Sequence, residues 1–553
     1  MRQLFLSLTL PLLVAGALGL PSPGPPTPSP QQRPNVVVLL TDDQTIDTLH
    51  FMPNVKHLLA DQGTTFDRSF VSFSLCCPSR ATFFTGQYAH NHGVRANHPP
   101  LGGYQKLDKH EWLPVWLQRA GYRTIQLGKF LNGYGRDNPT EVPPGWNEWH
   151  TSVDPSTYNY YTYTFNENGK LHSYDAYRDP DLYRTDFEAR RARQIINRVA
   201  PSPQPFFLMW QFLAPHTGGP QEPGDPFDLA TPAPAPRHRD RFSYLALPKP
   251  PSYNERDMSD KPRFIRSRRR ISPAKGRSIR ELYQQRLESL LAVDEAVASI
   301  VDSLQRGGEL DNTLIVFTSD NGYLLGEHRV PAGKVLPYEP SIRVPLILRG
   351  PGVPRGQHRR QLVVNADLAP TILEAAGAQP GRMQDGRSLF PLLRDPRLEW
   401  GRSLLIEGGF GGFHRFEGLR TYRYLYVRYR EGEQELYDLR HDPHELRSRH
   451  RSRRYARVRK LLARRLRRLR RCRGESCLAP PRARLRVLRA GRRCLARVSG
   501  PNVSAVLFAS GRGVSRDRRR PFSRIVSGTQ VRARISFRTA DVLTLDRRLS
   551  GCG

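Results

Sequence analysis

Residues 35–40 read Asn-Val-Val-Val-Leu-Leu and run directly into Thr41-Asp42-Asp43. A strand with one solvated face alternates apolar and polar residues. This run does not alternate, so it predicts a strand buried on both faces, as in a parallel sheet covered by helices. A second such run, Thr313–Thr318, ends at Ser319-Asp320-Asn321-Gly322, and further strands are expected at Tyr122–Leu127, Phe206–Phe212 and Val344–Leu348. Helical patterns lie between them, at Asn54–Gln62, Trp112–Ala120, Asp186–Arg198, Ser278–Gln305 and Asp367–Ala376. Strand–helix alternation over this length predicts an α/β domain with a mostly parallel sheet. Ligands of such sheets sit at the carboxyl ends of the strands, where Asp42-Asp43 and Asp320-Asn321 both fall.

The 553 residues carry 86 Lys+Arg against 51 Asp+Glu, a net charge of +35. Read alone, that excess suggests a polyanion partner. Its distribution changes the reading. From Arg451 to Gly553 the chain has 30 Arg and one Lys against four acids, a net +27, which leaves +8 for the first 450 residues. Arg451–Arg471 places Tyr455, Val458, Leu462, Leu466 and Leu469 at helical spacing with Arg between them, which predicts an amphipathic basic helix packed on its own protein. Beyond residue 482, short apolar runs at Leu485–Leu488, Ala505–Ala509, Val531–Phe537 and Asp541–Leu545 predict a small antiparallel β domain.

The N-terminus has Met1-Arg2, an apolar stretch from Leu4 to Leu20 and small residues at Ala17-Leu18-Gly19, the pattern of a secretory signal peptide. An uncleaved anchor is the alternative. No later segment is long and apolar enough to span a bilayer, so no transmembrane anchor is expected. The expected location is secreted or cell-surface, outside the cytoplasm. The expected boundaries are a signal peptide at 1–20, a Pro-rich linker at 21–34, a catalytic domain at 35–400, a small subdomain at 401–446, the basic helix at 447–477 and the Arg-rich β domain at 478–553. Residues 215–280 read as a long surface insertion, and Ser403–Glu407 and Leu419–Arg428 as strands of a small second layer closed by Glu435–Leu439. Of six cysteines, Cys76 and Cys77 are adjacent, and the simplest pairing of the rest is Cys472–Cys477 and Cys494–Cys552.

The most specific string is Cys76-Cys77-Pro78-Ser79-Arg80, followed by Ala81-Thr82-Phe83-Phe84-Thr85-Gly86. With it the sequence resembles the formylglycine-dependent sulfatases of the alkaline phosphatase superfamily, over about residues 35–446. The likeness is greatest to N-acetylglucosamine-6-sulfatases and extracellular heparan endosulfatases, and the basic tail is similar to add-on modules of actinobacterial sulfatases. The resemblance implies an alkaline-phosphatase-like α/β fold with a small antiparallel C-terminal subdomain. It implies that Cys76 is oxidised to formylglycine (3-oxoalanine) by a formylglycine-generating enzyme, with Cys77 a bystander. A hydrated aldehyde offers two hydroxyls on one carbon: one attacks sulfur, and the other lets the aldehyde re-form and expel sulfate.

The resemblance also implies one divalent ion per chain, Ca²⁺ with Mg²⁺ as alternative. Its ligands would be Asp42, Asp43, Asp320, Asn321 and the modified Cys76, and hard oxygen donors suit either ion better than zinc. Asp320 would also serve as base. Arg80 matches the family arginine that steadies the formylglycine. Lys129, in Gly128-Lys129-Phe130, and Lys334, in Gly333-Lys334, match its sulfate-binding lysines. His216, in Ala214-Pro215-His216, matches its active-site histidine, a proton donor to the leaving alcohol. Many sulfatases carry a histidine two residues after the first lysine; here that position is Leu131, as in the glucosamine-6-sulfatase branch. His90 is a candidate for the missing function, and Glu327 and His328 for the pocket wall. The implied substrate is a sulfated carbohydrate or an aryl sulfate. The alternatives are a phosphonate or phosphate monoester hydrolase of the same superfamily, and a polyanion-binding protein with an inert catalytic domain. Nucleic acid is disfavoured by the export signal and the lack of any nucleic-acid motif. Oligomeric state is left open.

Overall fold

The computed structural model describes residues 33–478 and seven tail strands within 484–490, 493–499, 503–510, 513–518, 522–526, 530–537 and 542–548. The signal peptide, nearly all of the Pro-rich linker and Cys552 lie outside the described residues. A ten-stranded sheet forms the body. Its centre is five parallel strands in the order Thr313–Ser319, Asn35–Thr41, Phe206–Gln211, Arg123–Gly128, Glu148–Ser152. Antiparallel Leu346–Arg349 extends one side, and the hairpin Thr162–Glu167 and Lys170–Asp175 the other. The mixed, mostly parallel sheet matches the expected class.

The unbroken apolar run explains its own position. Val36, Val38 and Leu40 enter one core, with Trp112, Trp116, Ile372 and Leu373. Val37 and Leu39 enter the other, with Ile195, Ile196, Val293 and Ile300. Each such side chain contributes about 1.5–3 kcal/mol on burial, so a polar residue on either face would be costly. Helices Leu113–Arg119 and Leu368–Ala376 cover the first face; Arg184–Val199 and Pro273–Arg306 cover the second. The 34-residue helix starts where Ser272 Oγ accepts from Lys275 N–H at 3.2 Å and Pro273 takes the first turn.

The helix expected over Asn54–Gln62 is present, with π-type hydrogen bonding over Val55–Ala60, and Asp294 accepts from the backbone N–H of Asn54 and Val55 at its start. Two expectations need correction. The strand over Leu419–Arg428 is two strands, Phe416–Arg420 and Tyr424–Tyr429, since Thr421 hydrogen-bonds across a turn to Tyr424. These join Leu404–Gly408 and Gln434–Asp438 in a four-stranded antiparallel sheet. The 215–280 segment is not only surface. Met258 and Ile265 are buried against Leu404, Ile406 and Tyr437, and buried Lys261 pairs with Glu255 at 3.0 Å.

The basic helix is observed at Ala456–Leu469. Its stripe of Leu462, Leu466 and Leu469 packs on Leu405, Leu419, Tyr424 and Leu436 of the small sheet. Cys472 and Cys477 are disulfide-bonded as expected. The tail strands form a three-stranded and a four-stranded antiparallel sheet around Val498, Val506, Phe508, Phe522 and Ile535. Among the described residues no helix is long and apolar enough to cross a membrane.

Candidate active site

Four central strands deliver side chains to one edge. Asn35–Thr41 and Thr313–Ser319 are paired through Thr41 and Ser319, so Asp42-Asp43 and Asp320-Asn321 emerge side by side. Asp43 N–H donates to Asp320 Oδ1 at 3.1 Å, and Asn321 Nδ2 donates to Asp43 Oδ1 at 2.5 Å. Asp43 has φ 70°, a left-handed conformation that costs a non-glycine residue free energy and is typical of functional sites. Lys129 follows Gly128 at the end of Arg123–Gly128. His216 follows Phe206–Gln211 by way of Phe212–Pro215. Cys76 opens the ten-residue helix Cys76–Thr85, at its partially positive end.

The nine principal residues named from the sequence come together. Arg80 is fully buried: Nε donates to Asp320 Oδ2 at 2.9 Å, Nη2 to Asp42 Oδ2 at 2.8 Å, and Nη1 to the Phe130 carbonyl at 3.0 Å and Gln211 Oε1 at 3.2 Å. Its donors are spent on protein groups, so it organises the carboxylates. Lys129 pairs with Asp42 Oδ2. Lys334 pairs with Asp43 Oδ1 and lies 2.9 Å from Cys76 Sγ, which is 3.4 Å from Asp42 Oδ1. His216 Nδ1 lies 2.6 Å from the Thr217 carbonyl and so must donate to it, which leaves Nε2 facing Asp43 Oδ2 at 3.8 Å. Only Lys334 and His216, with side chains 12% and 17% exposed, open to solvent; the other charged members are at 2% or less. A ligand therefore reaches Cys76 from the side of these two.

Burial sets the electrostatics. It alone would raise Asp42, but Lys129, His216, Arg80 and Lys334 hold that carboxyl well below the usual range. Burial and the neighbouring Asp42 push Asp320 up to about 6. Burial would lower both lysines, yet Asp42 holds Lys129 and Asp43 holds Lys334 above the ordinary lysine value. Burial, with Lys129 beside it, pushes His216 down to about 4, so its imidazole is neutral. Burial and Asp42 push the Cys76 thiol up. The thiolate, the nucleophilic form of the unmodified side chain, is disfavoured there.

Ligand atoms of Asp42, Asp43, Cys76 and His216 lie within 4.8 Å of one another, a group that could hold a metal ion. Asn321 Oδ1 is buried with no hydrogen-bond partner, an orphan that a metal ligand at the same strand end accounts for.

Three candidates fall elsewhere. His90 lies between Glu407 Oε2, 3.1 Å from Nδ1, and the Cys472 carbonyl, 2.9 Å from Nε2, which ties the segment after the Cys76 helix to the disulfide loop. His328 is buried against Glu255 at 2.7 Å and stacks on Tyr338. Glu327 lines a cavity of about 660 Å³ with Thr45, Tyr323, Arg343 and Arg420, a space whose lining includes none of Cys76, Lys129, His216 or Lys334. Sequence reasoning missed Gln211, Arg286 and Tyr158. Arg286 donates to the carbonyls of Asp43 and Pro215 and so ties the carboxylate loop to the histidine loop. A glutamine at the end of an otherwise apolar strand was the available signal for Gln211.

The mostly parallel α/β sheet, with three carboxylates, two lysines and a helix-start cysteine gathered at its strand ends, has the alkaline-phosphatase-like architecture expected from the sequence. The chain belongs to the sulfatase family, whose sequence profile matches residues 34–378. The profile of the N-sulphoglucosamine sulphohydrolase C-terminal region matches residues 326–472. The chain is 36% identical over 393 residues to human N-acetylglucosamine-6-sulfatase, covering 68% of this chain and 67% of that one. It is 37% identical over 391 residues to the Drosophila melanogaster extracellular sulfatase SULF-1 homolog, covering 68% of this chain but only 33% of that protein. It spans 52% of a Caenorhabditis elegans relative of the same kind. A solved complex of a protein with its substrate D-glucosamine-2-N,6-O-disulfate superposes with TM-score 0.65 at 25% identity, over 79% of this chain and 97% of that one.

Proposed function

We propose that the chain hydrolyses sulfate esters on carbohydrates, outside the cytoplasm, after Cys76 has been converted to formylglycine by a maturation enzyme. The observation that carries this reading is the position of Cys76, at a helix N-terminus between Lys334 and the carboxylate cluster. Formylglycine there would supply a hydrated carbonyl whose hydroxyl attacks sulfur. Asp42, Asp43, Asp320 and Asn321 would hold a divalent cation, Ca²⁺ or Mg²⁺, which offsets the charge of the ester. Lys129 and Lys334 bind sulfate oxygens, and their fixed positions spare the site reorganisation as charge builds up. Arg80 keeps Asp42 and Asp320 apart and aligned. Asp320, held by Asp43 N–H at Oδ1 and by Arg80 Nε at Oδ2, is the carboxylate assigned to take the attacking hydroxyl's proton. The orientation of His216 is fixed by the Thr217 carbonyl, which holds the proton of the neutral ring on Nδ1. The bound anionic ester favours uptake of a second proton at Nε2 against the burial and the Lys129 charge that hold the free ring neutral, and that proton passes to the leaving oxygen.

Glucosamine 6-O-sulfate is the first substrate to test, given the names of the relatives and the ligand of the solved complex. Mass spectrometry of the Cys76 peptide reads the conversion, and Cys76→Ala should lower sulfatase turnover by at least about 10³-fold. Full activity in that variant sinks the proposal. Faster turnover of an aryl phosphate or phosphonate than of the aryl sulfate would move the reaction to phosphoryl chemistry.

A further inference from the structure

Leu131 stands where many sulfatases have a histidine, and it is buried in the apolar core with Phe130, Tyr134 and Trp149. The space beside Lys129 is lined instead by Tyr158. Its ring lies 4.4 Å from the Lys129 ammonium and 5.0 Å from the His216 imidazole, so it touches both groups assigned to the ester. A cation on an aromatic face is held there by the ring's negative face. Lys129 is thus clamped between Tyr158 and Asp42.

The phenol oxygen accepts from Asn132 Nδ2 at 2.5 Å. Among the described residues Asn132 is the one side-chain hydrogen-bond partner of the phenol oxygen, and Asn132 Oδ1 is buried without a partner. Tyr158 is rigidly carried. Its carbonyl accepts from Gly219 N–H at 2.9 Å, and Tyr160 O–H donates to the His216 carbonyl at 2.7 Å. A side chain at position 218 would meet the Tyr158 carbonyl at 2.5 Å, so glycine lets the histidine loop lie against this segment.

We propose that Tyr158 is a substrate-binding residue, donating its O–H to an oxygen of the bound sulfate ester, with Asn132 as its positioning residue. The proposal rests on the sulfate-ester reading above. It assigns to a side chain from a separate segment the place that Leu131 leaves. Burial pushes the phenol up to about 12, which keeps the donor protonated.

Tyr158→Phe keeps the ring against Lys129 and His216 and removes only the donor. With Cys76 conversion verified, kcat/KM for a sulfate ester should fall roughly tenfold to a hundredfold, as when a hydrogen bond to a charged group is lost. Inorganic sulfate should weaken as a competitive inhibitor in the same direction, with the unfolding midpoint unchanged. Asn132→Leu, which leaves the hydroxyl unheld, should lower kcat/KM several-fold. Wild-type kcat/KM and wild-type sulfate inhibition in Tyr158→Phe would overturn the proposal. If the converted wild-type protein turns over no sulfate ester, the parent reading fails on its own. Calorimetric binding of inorganic sulfate to the wild type and to Tyr158→Phe then decides Tyr158: weaker binding in the variant supports it, and equal binding overturns it.

Discussion

Two sets of cations in this molecule are held in opposite ways. In the candidate active site, Arg80 and Lys129 are buried, and each is paired with a carboxylate. On the helix Ala456–Leu469, Arg457, Arg464, Arg467 and Arg468 are exposed, and the helix contains no acid. Like charges one turn apart on a surface cost only a few tenths of a kcal/mol each. A buried charge stripped of its partner costs several. Of the net charge of +35, +27 lies from Arg451 onward, the region of the cheap set, while the chemistry depends on the expensive one.

The largest effect expected from this contrast is at Arg80. Arg80→Met would leave Asp42 and Asp320 buried without their shared guanidinium and should destabilise the catalytic body by about 3–5 kcal/mol. Denaturant unfolding of the Arg80→Met protein measures it. An unchanged midpoint would mean that Lys129 and Lys334 alone can hold the cluster, and the contrast would lose its basis.

The difference between the two sets also explains what was legible in the sequence. Asp42-Asp43 and Asp320-Asn321 could be placed because each ends an unbroken apolar run, and such runs specify buried parallel strands whose ends face the site. Cys76 and Arg80 were legible through the resemblance carried by the string Cys76-Cys77-Pro78-Ser79-Arg80. Lys334 and His216 came only from resemblance, since loop positions have no periodicity to read. Tyr158 and Arg286 were missed because they reach the site from segments far from any strand end, through contacts that only the folded chain creates. The single strand expected over Leu419–Arg428 failed for a local reason, the Thr421 turn. The basic helix was legible because Leu462, Leu466 and Leu469 keep their spacing amid the arginines.

That stripe should carry the next effect. Leu466 is buried against the small sheet, so Leu466→Ala should cost about 2–5 kcal/mol in the docking of this helix. Hydrogen exchange of the 456–469 amides would show the loss. Faster exchange there, with the strand Asn35–Thr41 still protected, locates the cost in the helix. Unchanged exchange would mean that the helix is held by something other than its apolar face.

The smallest effect is expected on the same helix's other face. The triple variant Arg457→Gln, Arg464→Gln and Arg468→Gln removes three exposed cations that make no ion pair among the described residues. Its stability should stay within about 0.5 kcal/mol of wild type, since surface changes away from special features seldom do more. Turnover of a small aryl sulfate should also be unchanged, because that ester meets only Lys129, Lys334 and their neighbours. Elution from an immobilised sulfated polysaccharide should come at lower salt, since each removed cation releases fewer counterions. If small-ester turnover falls with the triple variant, the two sets of cations are coupled, and the arginine face belongs to the reaction as well as to the surface.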